Sequence, residues 1–126
     1  MLHPNTLIDT NYGQILLSQV LINMKVDGAE PDVYVTSIIT NSREFHKIKY
    51  IFDKGTVICN RLTIFFQNDH RVLGRKLKIG DTVDTVNGSA KLLSKYYVYS
   101  DKPFYTLQTS CYNNSFALSN GIIVTH

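Results

Sequence analysis

Residues 43–54 interleave cations and rings. Arg43, Phe45, His46, Lys47, Lys49, Tyr50, Phe52 and Lys54 all fall within this stretch. A second cluster holds Lys91, Lys95, Tyr96, Tyr97, Tyr99 and Lys102. Lysine and arginine neutralise phosphates and release counterions without regard to sequence. Aromatic rings stack on exposed bases, worth about 1–3 kcal/mol per base. Together these are the two handles needed to hold an unpaired nucleic-acid strand. Tyr34 joins the set as a stacking platform, Arg61 as a phosphate contact, and Phe65 as the outward member of the Phe65–Phe66 pair. Each ring also has a packing alternative. Tyr50 and Phe52 suit the core of a hairpin as well as a stack. Of the neighbours Tyr96 and Tyr97, an extended chain points one inward.

Covalent chemistry has weaker support. His3, His46, His70 and His126 are scattered. A dyad of Cys59 with His46 or His70 is conceivable, but no local spacing positions it, and cysteine is more often a small buried residue. With only two glutamates, Glu30 and Glu44, no carboxylate pair stands out, and no spacing fits a metal site. A glycine-rich phosphate loop is absent. The expectation is a protein without catalysis, cofactor or metal.

Composition sets the frame for these side chains. The chain has 126 residues, 44% hydrophobic and 18% charged, which argues against disorder. That length is one domain, expected over 1–126 with a core at about 14–112 and an extension at 113–126. Cys59 and Cys111 form no CxxC pair, so a zinc ribbon is excluded and a reducing compartment is expected. No apolar run approaches the ~20 residues of a membrane helix, and a signal-peptide start is missing. The location expected is intracellular, cytoplasm or nucleoid, or nucleus in a eukaryote, with no membrane partner. The net charge of +3 is uneven: residues 41–78 hold nine Lys/Arg against three Asp/Glu, whereas residues 1–40 hold one against four. Such asymmetry favours an anionic partner.

The elements that must position the clusters read as strands. Val20, Ile22, Met24 and Val26 alternate, and Asp27-Gly28 supplies a turn. Val33–Thr40 is dense in β-branched residues. Residues 41–60 read as a long loop or projecting hairpin. Arg61–Gln67 is a third strand, with Leu62, Ile64 and Phe66 on its core face. Asn68-Asp69 suits the cap of a short helix over HRVLGRKL. Val83 and Val86 mark a fourth strand, broken at Asn87-Gly88. Residues 94–103 form a polar connection, and Phe104–Tyr112 a fifth strand. Phe116–Val124 offers a further edge strand. Five strands with one short helix between the third and fourth is the order of the OB-fold, a five-stranded Greek-key barrel. A β-sandwich, which needs about seven strands, ranks second.

Three segments carry a family resemblance: DGAEPDVYVTSIIT, RLTIFFQ with the short helix after it, and KLKIGDTVDTVNG. In order and pattern they resemble the bacterial- and phage-type single-stranded-DNA-binding proteins over about residues 14–112. The resemblance implies an OB-fold whose loops at 43–54 and 91–102 flank one groove. It implies sequence-tolerant binding of single-stranded DNA in replication, recombination or repair, in a homo-oligomer of a phage or viral protein, with RNA as a related partner. The chain departs from that family in having no tryptophan and no acidic residue after Asp101. The alternative expectation is a protein-assembly module, an accessory subunit or virion component, that uses the apolar segment GIIVTH to pair sheet edges.

Overall fold

The structure is a computed structural model that describes residues 1–41 and 47–126. In chain order the strands are β1 (Leu7–Thr10), β2 (Gly13–Leu16), β3 (Lys25–Val26), β4 (Val33–Asn41), β5 (Lys47–Phe52), β6 (Gly55–Asn60), β7 (Ile64–Gln67), β8 (His70–Leu73), β9 (Thr82–Thr85), β10 (Gly88–Tyr97), β11 (Phe104–Thr109), β12 (Phe116–Ala117) and β13 (Ile123–Val124). Short 3₁₀ turns occupy Leu17–Gln19 and Gly74–Lys76. The all-β class expected from the sequence is what the chain adopts.

The pairings are antiparallel throughout. One sheet runs β11-β4-β3-β1-β2, a second runs β6-β5-β10-β9, and β7-β8 and β12-β13 are separate hairpins. Leu2 bridges Cys59 of β6 and Tyr105 of β11, so the first residues of the chain stitch the two larger sheets together. β10 pairs with β9 through Lys91, and its register with β5 is broken by an irregularity between Leu92 and Ser94. Such a break bends a strand and lets a sheet curl.

Side-chain alternation explains the core. In β4, Val33 and Val35 are buried while Tyr34 and Thr36 face outward. In β5, Ile48, Tyr50 and Phe52 point inward, and Ala90 and Leu92 do the same in β10. Tyr50, Phe52 and Phe65 form an aromatic cluster with ring centroids 5.3–6.4 Å apart. Burial of such rings dominates the energetics of a core.

Several expected elements differ. The segment after Gln67 is not a helix but the β7-β8 hairpin. Asn68 and Asp69 take φ of 50° and 67°, as a two-residue turn with both φ positive requires. Asp84 locks that turn, accepting from the Asn68 and Asp69 backbone N–H groups at 2.9 and 2.8 Å. Residues 47–60 form the hairpin of the two alternatives, β5 and β6, but it is packed into a sheet beside β10 rather than projecting, and the connection at 94–103 is strand as far as Tyr97. Of the strand expected over Val20–Val26, only Lys25–Val26 pairs, whereas the unforeseen β1-β2 hairpin lies upstream. Phe116–Val124 is a buried hairpin rather than an edge strand. The supposed core residue Leu62 is exposed, and both Phe65 and Phe66 are buried.

Candidate active site

The place where chemistry is concentrated lies between the two ends of the chain. β6 ends at Asn60, and the turn Asn60–Thr63 closes with the Thr63 N–H donating to the Asn60 carbonyl at 3.3 Å. The first residues run alongside: Asn60 N–H donates to the Met1 carbonyl at 2.9 Å, and His3 N–H to the Ile58 carbonyl at 2.9 Å. From the other end, Thr125 exchanges two backbone hydrogen bonds with Ile64, at 2.9 and 3.0 Å. This pairing carries His126 to the same turn.

The Met1 backbone nitrogen is the meeting point. It donates to Asn60 Oδ1 at 3.1 Å and to Thr63 Oγ1 at 3.1 Å, and lies 3.1 Å from His126 Nδ1. Asn60 and Thr63 are almost wholly buried. The Thr63 hydroxyl proton has two acceptors, Asn60 Oδ1 at 2.9 Å and the Met1 carbonyl at 3.2 Å. His126 is exposed, which gives its ring contact with water as well as with the nitrogen. A backbone nitrogen, a buried hydroxyl, a carboxamide and an imidazole together have the parts for acyl transfer.

Cys59 adjoins this group. Its fully buried thiol is pushed up to about 12, chiefly by burial, with the chain's amino group and a hydrogen bond with Thr63 opposing. It therefore remains a thiol at neutral pH and is a poor nucleophile. Its suggested partner His70 is exposed on β8, and His46 lies outside the described residues. Among the described residues, no group of His, Cys, Asp or Glu is arranged to hold a metal ion.

The residues expected to bind nucleic acid are only partly brought together. Arg43 and Phe45 lie outside the described residues. Tyr50, Phe52 and Phe65 are buried in the core and offer no face for stacking. Lys47 is buried too: its Nζ donates to the Ser100 carbonyl and sits 5.1 Å from the Phe104 ring centroid. The two expected loops are neighbouring strands, with Lys49 opposite Tyr96 and Tyr50 opposite Lys95. Lys49 Nζ lies 6.0 Å from the Tyr96 ring centroid, and Lys95 Nζ donates to the carbonyls of Arg75 and Leu77. Tyr34, Lys54, Arg61, Lys91, Tyr96, Tyr97, Tyr99 and Lys102 are exposed. The sequence reading did not select Met1, Asn60, Thr63 or His126 as a group. No local spacing joins them, since 125 positions separate the first from the last.

Comparison with solved structures identifies the fold. The gp41-1 intein superposes with a TM-score of 0.85 at 17% identity, covering 99% of this chain and 97% of that one. The Msm DnaB1 intein splicing domain bound with zinc gives 0.84 at 10% identity over 100% of both chains. The bacterial intein-like domain from Clostridium thermocellum gives 0.84 at 16% identity, covering 99% of this chain and 97% of that one. No protein-family model and no curated protein sequence matches the chain. The architecture is thus that of the inteins and not the OB-fold, and the resemblance to single-stranded-DNA-binding proteins is overturned. With it go the replication role, the nucleic-acid partner with its expected homo-oligomer, and the assembly module offered as the alternative. The expectation of a protein without catalysis falls as well, because the fold is shared with protein-splicing domains.

Proposed function

We propose that this chain is a self-processing domain that acts on the peptide bonds at its own two ends. Splicing removes a domain from a polypeptide and joins what flanks it, so both junctions must meet at one place. The observation that carries the reading is the 3.1 Å separation between the Met1 backbone nitrogen and His126 Nδ1. A polypeptide leading into Met1 and one leaving His126 would diverge from the same few ångströms.

The surrounding groups suit amide scission at Met1. Breaking an amide requires a proton for the departing nitrogen, and His126 Nδ1 faces that nitrogen. An imidazole can accept or donate there according to its tautomer. Asn60 Oδ1 and Thr63 Oγ1 lie at the same nitrogen, each at 3.1 Å, so the single N–H of an amide there has an acceptor on either side.

The test is a fusion carrying one folded reporter ahead of Met1 and a different one after His126, followed by gel electrophoresis and intact mass. The expected result is time-dependent release of a reporter at a mass that places the cut at Met1 or His126, with or without ligation of the two reporters. A fusion that stays whole over days across neutral pH overturns the reading.

A further inference from the structure

We propose that Asn87 is a site of spontaneous covalent modification, at which the Gly88 nitrogen closes a succinimide ring on the Asn87 carboxamide beside the Lys54 ammonium. This chemistry is independent of any cleavage at the chain's ends.

Asparagine followed by glycine occurs twice, at Asn87-Gly88 and Asn120-Gly121. Glycine has no β-carbon to obstruct attack by its nitrogen on the preceding carboxamide. The two pairs are alike in sequence and opposite in structure. Asn120 is held at both ends of its amide: Nδ2 donates to the Thr56 carbonyl at 3.3 Å, and Oδ1 accepts from the Ile122 N–H at 3.1 Å. Gly121 is buried, and its N–H donates to the Leu118 carbonyl at 2.8 Å. Asn87 and Gly88 are both exposed, where β9 turns into β10. The Asn87 side chain makes no hydrogen bond among the described residues, so it is free to rotate toward the next nitrogen. Lys54 adds a favourable charge. Its Nζ lies 3.5 Å from where a β-carbon on Gly88 would stand, hence within about 6 Å of the Gly88 nitrogen. No ion pair engages this ammonium among the described residues. The nitrogen must become an anion to attack, and a cation at that range favours the anionic form.

The Gly88 N–H gives its proton to hydroxide, and the nitrogen adds to Asn87 Cγ. A C–N bond forms, the bond from Cγ to Nδ2 breaks, and Nδ2 takes up a proton from water and leaves as ammonia. Water then opens the succinimide at one of its two carbonyls. Opening at Cγ gives aspartate. Opening at the backbone carbonyl gives isoaspartate, whose main chain runs through Cβ and Cγ and lengthens the turn by a methylene. In sum, one water enters and one ammonia leaves. Either acid stands beside Lys54. The same turn donates from the Val86 N–H to the Gly121 carbonyl at 2.9 Å, two residues ahead of β13, so the change reaches the hairpin that leads to Thr125.

The experiment ages the purified full chain in mildly alkaline buffer. Peptide mapping by mass spectrometry and an isoaspartate-specific methylation assay follow the products. The Asn87 peptide is expected to lose ammonia, then gain water and become methylatable, while the Asn120 peptide stays intact. In urea, where neither side chain is held, the two peptides should convert at similar rates. Lys54→Gln should slow conversion of Asn87 in the folded chain by about tenfold, the scale of one pKa unit, and Lys54→Arg should restore it. If Asn87 proves as durable as Asn120 in the folded chain, the proposal is overturned. A contrast that persists undiminished in urea also overturns it, because local sequence and not the fold would then set the rate. An unchanged rate in Lys54→Gln overturns the part given to the ammonium. Both sites lie in the wild-type chain, so the central comparison needs no variant to fold.

Discussion

Met1 and Asn60 hold each other by two hydrogen bonds. The Met1 nitrogen donates to Asn60 Oδ1 at 3.1 Å, and the Asn60 backbone N–H returns a bond to the Met1 carbonyl at 2.9 Å. The pair closes a span of 59 residues and fixes the start of the chain against the end of β6. It is therefore both a structural clasp and part of the candidate site.

Asn60→Ala removes the side-chain half of this clasp. The Met1 nitrogen loses one acceptor, and the Thr63 hydroxyl loses the nearer of its two. Leaving such buried donors under-satisfied costs about 1–3 kcal/mol. The expected outcome is a fall of that size in urea unfolding, with an unchanged m-value because the fold exposes the same surface. In the reporter fusion the same variant should cut more slowly, since the Met1 nitrogen loses a group that positions it. Full stability with full activity would show that the carboxamide has no part in either role.

Gly74 tests the packing behind the site. A β-carbon there would lie 2.8 Å from both the Tyr50 hydroxyl and Phe65 Cε2. Neither group has room to yield, because Tyr50 and Phe65 are buried and in edge contact with each other. Gly74→Ala is expected to cost about 1–3 kcal/mol by overpacking, read by thermal or urea unfolding. The Gly74 N–H also donates to the Thr63 carbonyl at 2.9 Å, so a shift of this turn passes directly to the site. Slower reporter release in a variant that remains folded is the expected second readout.

The sequence exposed the strands more readily than the site. Val33–Thr40 and Phe104–Tyr112 could be recognised because their β-branched and aromatic residues alternate, and both are strands, the second as far as Thr109. Asn68-Asp69 misled because short polar side chains suit a helix cap and a left-handed turn equally; what decided was Asp84, sixteen positions on, accepting both turn N–H groups. Lys47 misled because a lysine counts as surface, yet its stem can lie along a ring while its amine reaches a carbonyl. The site was illegible for a different reason. Met1, Asn60, Thr63 and His126 are ordinary residues whose relation exists only once Leu2 has bridged β6 to β11 and Thr125 has paired with Ile64. No window along the chain contains that information.

Tyr50→Phe separates the ring of Tyr50 from its hydroxyl. The ring packs against Phe52 and Phe65, whereas the hydroxyl is buried without a hydrogen-bond partner among the described residues. An unsatisfied buried hydroxyl costs the folded state its desolvation penalty and gains nothing back. Removing it while keeping the ring should leave stability unchanged or raise it by up to about 1–2 kcal/mol, seen as a higher urea midpoint. A clear loss of stability would mean that the hydroxyl has a partner in solution.

His3 sets a pH dependence that can be isolated. Its ring packs edge-on to Phe104, and partial burial, then Lys102 and Lys47, lower its pKa from 6.5. A base whose folded pKa is below its unfolded value binds fewer protons when folded, so acid favours unfolding. The stabilising contribution is complete above pH 6.5 and is lost as pH falls through 6.5 toward the lower folded value. His3→Gln, which cannot titrate, should therefore flatten the decline of melting temperature below pH 6.5 while leaving the curve above it parallel to wild type. Added salt should flatten the wild-type decline in the same direction, because the two lysines act through charge that ions screen. A variant with the wild-type slope would remove His3 from the acid response and leave that response to the carboxylates.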